Sequence, residues 1–253
     1  MGAHVSALYL HETIDIVGQG AWPYMAHTVQ ASGNETNNFV LQGTWYVMGI
    51  TGRWPEVINI WDIPGGWQGW SDSVDRLNLR RRQNKELSAW WEEAYRSRSG
   101  GFDRLLAGAP NSPTTDTLTA AGVRGSLFLH ETSSVRPGTA LQYLAAVQAH
   151  MVPLMAEYGF TATGLYETLM TDTEVITVWA GDVAAHTALQ RAEHSARHHT
   201  QGGDERLVEW RSTAREFVTQ WNAKLMTPHP GTAIGPLEQN AREESDATSD
   251  SDS

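Results

Sequence analysis

Cysteine is absent from the 253 residues. That removes disulfides, thiolate nucleophiles and thiolate metal sites, and it suits a reducing compartment. Long apolar runs are missing too: none approaches the ~18 residues of a membrane span, so no membrane partner is expected. The opening stretch MGAHVSALYLHET has neither the basic nor the long apolar region of a secretory signal, so the expected location is cytoplasmic. Basic charge is scarce, with 18 Lys and Arg against 29 Asp and Glu. Of the formal net charge of −11, residues 238–253 (EQNAREESDATSDSDS) hold −5, leaving the body at about −6. A negative body disfavours nucleic acid as a partner. The phosphate-binding G-x-x-x-x-G-K-[ST], the dinucleotide G-x-G-x-x-G and the hydrolase G-x-S-x-G do not occur in the required settings. Gly18-Gln19-Gly20 is too short to stand for any of them.

Tryptophan, by contrast, is abundant, at 11 residues. Its large apolar body and single donor suit packed interfaces and pockets for bulky apolar ligands.

The chain also reads as one paragraph written twice. The tetrapeptide LHET stands at 10–13 and again at 129–132, an offset of 119. Trp91 and Trp210, Phe102 and Trp221, and Leu106 and Leu225 share that offset, while Trp61/Trp179 and Pro110/Pro228 are 118 apart. Six coincidences in one order point to a tandem duplication.

The segments follow the same order in both halves. In the first half, a strand over Ala7–Val17 leads through glycines into a short helix near Trp22–Ala31. Two strands, Phe39–Gly49 and Pro55–Trp61, and a long helix about Ser71–Arg96 follow. The run Arg80-Arg81-Arg82 reads as a solvated helix face. In the second half, the strand Ser126–Val135 passes Pro137-Gly138 into an amphipathic helix about Thr139–Tyr158, stopped by Gly159. Strands near Phe160–Leu169 and Val175–Trp179 precede helices Ala184–His198 and Leu207–Leu225, with room for a short last strand. The expected organisation is therefore α+β: a first ferredoxin-like copy over 1–107, a linker over 108–124, a second copy over 125–237 and a disordered acidic tail over 238–253.

Leu127-Phe128-Leu129-His130-Glu131-Thr132, the turn Arg136-Pro137-Gly138 and the strand end Ile176-Thr177-Val178-Trp179-Ala180 resemble the NIPSNAP-like members of the dimeric α+β barrel superfamily. Copy one departs from that pattern, with Val17-Gly18-Gln19-Gly20 at the turn and a shorter first helix. The resemblance implies two sheets meeting face to face in a barrel flanked by helices, here supplied by tandem copies in one chain, with a homodimer still possible. It also implies a superfamily of monooxygenases, isomerases, lyases, haem enzymes and proteins without known catalysis, so the fold alone gives no activity.

Strand alternation selects the residues that could act. Leu8, Leu10 and Glu12 share one side of the first strand, and Tyr9, His11 and Thr13 the other; in copy two, Leu127, Leu129 and Glu131 oppose Phe128, His130 and Thr132. The more apolar side is expected under the helices, which places His11 and His130 in the barrel at equivalent positions, as an acid/base pair or as hydrogen-bonded packing. Trp45-Tyr46 is matched to Leu165-Tyr166, making Tyr46 and Tyr166 candidate oxygen-orienting donors. Glu131 and Glu167 are candidate carboxylate bases, and Tyr9, Trp45, Trp61, Phe128 and Trp179 candidate pocket walls. Asp62 and Asp182, which follow the strand-ending Trp residues, read as helix caps. His194 and His198, at i and i+4, could share a metal with His186 or Glu193, or one of them could bind haem iron. A His-rich helix end facing solvent is the plainer reading. The resulting expectation is an enzyme without an organic cofactor that moves protons on a small hydrophobic or aromatic molecule: an isomerase, lyase, cyclase or cofactor-free monooxygenase. The alternatives are a non-catalytic binding or interaction protein and a haem- or metal-dependent barrel enzyme.

Overall fold

The computed structural model of the chain describes residues 7–32, 38–79 and 83–236. The Arg80–Arg82 run and the acidic tail over 238–253 lie outside the described residues. Two ferredoxin-like units follow one another and close into a single eight-stranded antiparallel barrel. The first contributes β1 (Leu8–Ile16), α1 (Ala21–Gln30), β2 (Val40–Val47), β3 (Glu56–Ile63), α2 (Gly66–Ser73), α3 (Lys85–Ala94) and β4 (Arg98–Gly108). After α4 (Thr115–Ala120), the second contributes β5 (Leu127–Val135), α5 (Ala140–Ala146), α6 (Val152–Glu157), β6 (Thr161–Thr168), β7 (Glu174–Gly181), α7 (Val183–Arg197), α8 (Glu205–Ala214) and β8 (Val218–Pro228). The strand order around the barrel is β1-β3-β2-β8-β5-β7-β6-β4. Short antiparallel pairings join the copies, β2 to β8 around Val47↔Met226 and β4 to β6 around Ala107↔Glu167.

The elements follow their local chemistry. Asn84, Asp182 and Asp204 accept hydrogen bonds from the first-turn backbone of α3, α7 and α8, the role that favours short polar side chains at helix starts. Asp62 caps nothing: it lies within β3, opposite Tyr9. The segment read as a linker carries α4, started by the Thr114/Thr117 capping box, and its Leu118 packs with Tyr9 and Ile234 at one end of the barrel.

Three helices differ from expectation, and the one expected over Thr139–Tyr158 divides into α5, a π-helical stretch over Val147–Met151 and α6. The stretch expected as one helix from Ser71 to Arg96 divides into α2, a π-helical turn over Val74–Leu79 and α3. The helix expected over Leu207–Leu225 ends at Ala214, and β8 follows. Phe217, Trp221 and Leu225 recur every four residues, a spacing that fits a helix face and equally one face of a strand. The barrel decides between them, because β5 needs a second hydrogen-bonding partner, which β8 supplies from Phe128↔Met226 onward.

The strand registers revise the matching of the copies. Leu10↔Trp61 and Leu129↔Trp179 confirm LHET and the strand-ending Trp as equivalents. Along β4 and β8 the offset is 120, since Tyr9 pairs with Leu106 and Phe128 with Met226. Phe102 therefore matches Asn222, and Leu106 matches Met226. The α3 and α8 starts at Lys85 and Glu205 keep the offset of 120, so Trp90, not Trp91, is the partner of Trp210. Gly108, not Pro110, is the equivalent of Pro228. At β2 and β6 the offset is 121: Trp45 faces Ile58 as Tyr166 faces Ile176, after irregularities at Leu41/Gly43 and Ala162/Gly164.

Those glycines have a steric reason. A Cβ on Gly43 would sit 2.2 Å from the Trp45 ring, and one on Gly164 2.0 Å from the Tyr166 ring. Gly43→Ala is expected to cost about 1–3 kcal/mol through overpacking. Chemical denaturation of the variant measures it, and an unchanged midpoint would contradict the packing described.

Candidate functional site

Two layers of side chains carry polar groups, one inside the barrel and one between the sheets and the helices.

Inside, the copies meet across a local two-fold relation. His11 on β1 and His130 on β5 approach with Nε2 to Nε2 at 2.9 Å. One ring must donate and the other accept, so the pair is a neutral imidazole dimer. Burial first, then the neighbouring His130 and Arg104, holds His11 well below the ordinary imidazole value. Burial first, then Lys224 and Arg104, takes His130 down to about 3. Beside them, Arg104 of β4 donates to Glu174 of β7 at 2.5 and 3.0 Å, and Lys224 of β8 pairs with Glu56 of β3. These bridges are equivalent, and each joins one copy to the other. Toward the α4 end, Tyr9 meets Tyr166 at 4.9 Å between ring centroids, and Phe128 meets Trp45 at 5.3 Å. The Tyr166 hydroxyl donates to Gln42 at 3.0 Å, and Gln42 donates to the Thr163 carbonyl at 3.1 Å. Side chains thus span the lumen at every level from Tyr9 to the ion pairs.

The structure brings together Tyr9, His11, Trp45, Phe128, His130 and Tyr166 in this lumen. It does not bring Tyr46, Trp61, Glu131, Glu167 or Trp179 there. Tyr46 pairs with Val57, packs against a cluster of the outer face and corresponds to Glu167 rather than Tyr166. A strand slip of one residue turns every side chain over, which is why the matching of Tyr46 with Tyr166 fails. Glu167 lies on the same outer face of β6, half-buried, and burial raises its pKa. His194 and His198 do lie on one face of α7, with ring centroids 4.4 Å apart, but both are solvent-exposed at its last turn. Glu193 is bonded to Arg211, and among the described residues no three His, Asp or Glu side chains converge to hold a metal. Two imidazoles exposed at a helix end do not fit a haem ligand, which is held inside the protein.

The outer layer holds what the sequence reading kept apart. The Glu of each LHET accepts the indole N–H of the strand-ending Trp: Trp61 to Glu12 at 2.7 Å and Trp179 to Glu131 at 2.9 Å. Around this shared pair the copies diverge. In copy two, Glu131 also accepts from Thr177 at 2.9 Å and from the Trp221 indole at 3.0 Å. One continuous apolar cluster surrounds it, including Leu129, Leu144, Leu165, Trp210 and Leu225. In copy one, the apolar residues divide into two clusters, one around Leu8, Trp61 and Leu105 and the other around Ile14, Tyr24 and Val57. Polar groups fall between them. Asn59 donates to Glu12 at 3.0 Å and accepts from Thr44 at 2.6 Å. Asp103 is the direct cross-strand neighbour of Glu12, which places the two Cβ atoms about 5 Å apart. Arg98 donates to the Tyr24 hydroxyl at 3.3 Å.

At the equivalent places copy two has Leu165 for Thr44, Thr177 for Asn59, Val218 for Arg98 and Ala223 for Asp103. Trp221, whose indole covers Glu131, is replaced in copy one by Gly101. That glycine is exposed, with φ +142°, and a Cβ there would lie 2.1 Å from the Thr13 carbonyl oxygen. No side chain can take the covering position. Asp103 is exposed beside it. Partial burial first, then the charge of Glu12, raises its pKa to about 6, with Arg98 opposing. Sequence reading missed Asp103 and Arg98 because β4 was not recognised as a strand, and it passed over Asn59 although β3 was expected. Comparison of the copies at an offset of 120 along β4 and of 118 along β3 sets Asp103 against Ala223, Arg98 against Val218 and Asn59 against Thr177.

No family model and no curated protein matches the chain. Solved structures do. An anthrone oxidase-like protein is 13% identical and superposes over 90% of this chain and 92% of its own, with a TM-score of 0.60. A putative monooxygenase from Fusobacterium nucleatum is 9% identical over 89% and 93%, with a TM-score of 0.56. The fold is that of the ferredoxin-like α+β barrels. A NIPSNAP domain protein from Burkholderia xenovorans, 17% identical, matches 41% of this chain and 94% of its own at a TM-score of 0.33. The likeness to these structures is one of fold. No described helix is long and apolar enough to cross a membrane.

The buried imidazoles predict an acid response. With folded-state pKa values below the ordinary 6.5, the unfolded chain binds more protons in acid. The stability contributed by the neutral pair is fully present above about pH 6.5 and is lost as pH falls from there toward about 3. Urea unfolding across that window should show a shallower loss for His130→Gln than for the wild type. Parallel curves would show that the pair does not govern acid stability.

Proposed function

We propose that the chain is an enzyme that moves a proton on a small hydrophobic or aromatic molecule without an organic cofactor, and that Asp103, backed by Glu12, is its base. The observation that carries this reading is the asymmetry of the outer layer. Two copies of one fold share the Glu–Trp pair, yet only copy one adds a second carboxylate and a buried Arg and leaves the covering position to a glycine. Packing does not ask for this, since copy two fills the same positions with Leu, Val and Ala. A carboxylate with a pKa of about 6 is mostly ionised at neutral pH while keeping more basicity than an ordinary Asp, the compromise a general base needs.

In the step envisaged, the Asp103 carboxylate takes a proton from carbon next to a carbonyl, and the electron pair moves onto the carbonyl oxygen. The exposed Tyr95 and half-buried Trp91 of the α3 end, 5.5 Å apart, offer apolar surface to a planar ring. Fold neighbours named monooxygenase and anthrone oxidase-like favour dioxygen as the partner that then reacts with the carbanion, over reprotonation or loss of a leaving group. This reading moves the acid/base role from His11 and His130, whose Nε2 atoms are spent on each other, to the carboxylates. The non-catalytic reading keeps one supporting observation, the filled lumen.

The test is dioxygen uptake with anthrone and related enolisable aromatic ketones. Asp103→Asn is expected to lower kcat about 100- to 10,000-fold, while the wild-type rate rises with pH through about 6. Turnover by Asp103→Asn equal to the wild type would remove Asp103 from the mechanism. The same rate loss in His11→Gln, with Asp103→Asn unaffected, would return the chemistry to the lumen.

A further inference from the structure

Arg98 is 8% exposed, and a guanidinium so placed is costly unless paired. Among the described residues, no carboxylate forms an ion pair with it. Its bonds are long ones, to the Tyr24 hydroxyl at 3.3 Å and the Gly100 carbonyl at 3.5 Å, and its buried Nε–H has no partner. What holds the group is aromatic, with the Trp91 ring 4.8 Å and the Tyr24 ring 5.8 Å from the guanidinium carbon. A second buried donor in the same layer is unmatched. Trp90, packed edge-on to Trp91 at 5.0 Å, bridges the two apolar clusters that flank Glu12, and its indole N–H has no acceptor. Native interiors seldom leave such donors unsatisfied. In copy two, the equivalent of Trp90 is Trp210, whose N–H is not among the buried unmatched donors, and the equivalent of Arg98 is Val218.

We propose that Arg98 and the Trp90 indole N–H form the oxyanion holder of this site, receiving a substrate carbonyl oxygen that becomes anionic when Asp103 takes the proton. The proposal rests on the reading of the Asp103 site given above and adds the substrate's polar end: a neutral, enolisable carbonyl on a planar aromatic body. The charges balance. Before the step Asp103 bears the negative charge; afterwards Asp103 is neutral and the substrate oxygen is negative, so the charge facing Arg98 is conserved while it moves onto the oxygen that the unmatched donors hold. A substrate that arrives already as an anion would meet the ionised Asp103 and be repelled.

Asp103→Asn imitates the protonated base, and a phenolate imitates the enolate. 4-Nitrophenol, whose ionised form is yellow, reports its own state when bound. Asp103→Asn is expected to bind it as the phenolate, with wild type binding more weakly at pH 8, where Asp103 is ionised. Arg98→Met in the Asp103→Asn background should weaken binding about 10- to 100-fold. Phenol bound in the neutral form, affinity unmoved by Arg98→Met, or no binding to Asp103→Asn would each overturn the proposal. Should Arg98→Met fail to fold, the Asp103→Asn protein with native Arg98 answers instead: 4-nitrophenolate must protect Arg98 from phenylglyoxal, read by peptide mass, and unprotected modification would overturn it. The two readings fail separately. Arg98-dependent phenolate binding with undiminished turnover in Asp103→Asn would sink the base and spare the anion site. Lost turnover with Arg98-independent binding would do the reverse.

Discussion

The inner faces of the two sheets can be buried only against each other, and this constraint governs the molecule. His11 needs His130, Arg104 needs Glu174, and Glu56 needs Lys224. Every one of these contacts takes one residue from each copy. A single unit would expose its apolar inner face and leave buried charges without partners, a loss that breaking one half of a buried pair makes severe. The directional contacts also fix register, because they are satisfied only when equivalent strands face one another across the local two-fold. The barrel is therefore the folding unit, although the chain is written as two.

Closing the barrel in this way separates stability from any chemistry. The lumen holds the aromatic pairs, the histidines and the ion pairs, and it is tied to the symmetry of the copies. The layer between sheet and helices is under no such tie. Each copy packs its own helices there, and one copy can change without the other. Copy two keeps a continuous apolar layer, with Trp221 over Glu131; copy one carries the carboxylate pair, Arg98 and Gly101. Duplication supplies a stable partner against which a polar, less economical layer can be maintained, and unpaired buried polar groups are most informative in such a setting.

Much of the architecture was legible because its signals are local. LHET and the strand-ending Trp marked the repeat, and alternation along β1 and β5 placed Tyr9, His11, Phe128 and His130 correctly inside. Where the sequence misled, the cause was a shift of one or two residues. Matching Tyr46 to Tyr166 takes an offset of 120, whereas the offset at those strands is 121 and the two side chains point to opposite faces. The four-residue spacing of Phe217, Trp221 and Leu225 concealed β8, and with β4 also unread, Asp103 and Arg98 went unnoticed.

The sequence by itself determined the duplication, the α+β class, the inward face of the first strands and the equivalence of His11 with His130. Each follows from composition and from periods of two or 3.6 residues, which a chain carries wherever it folds. Only the tertiary structure decided that the histidines bond to each other, that Glu12 and Asp103 are neighbours, and that Arg98 and Trp90 retain unmatched donors. Those facts depend on which residue of one strand lies beside which residue of another, and on bulges that shift the count. Such pairings are set by the whole barrel closing at once, and no local pattern encodes them.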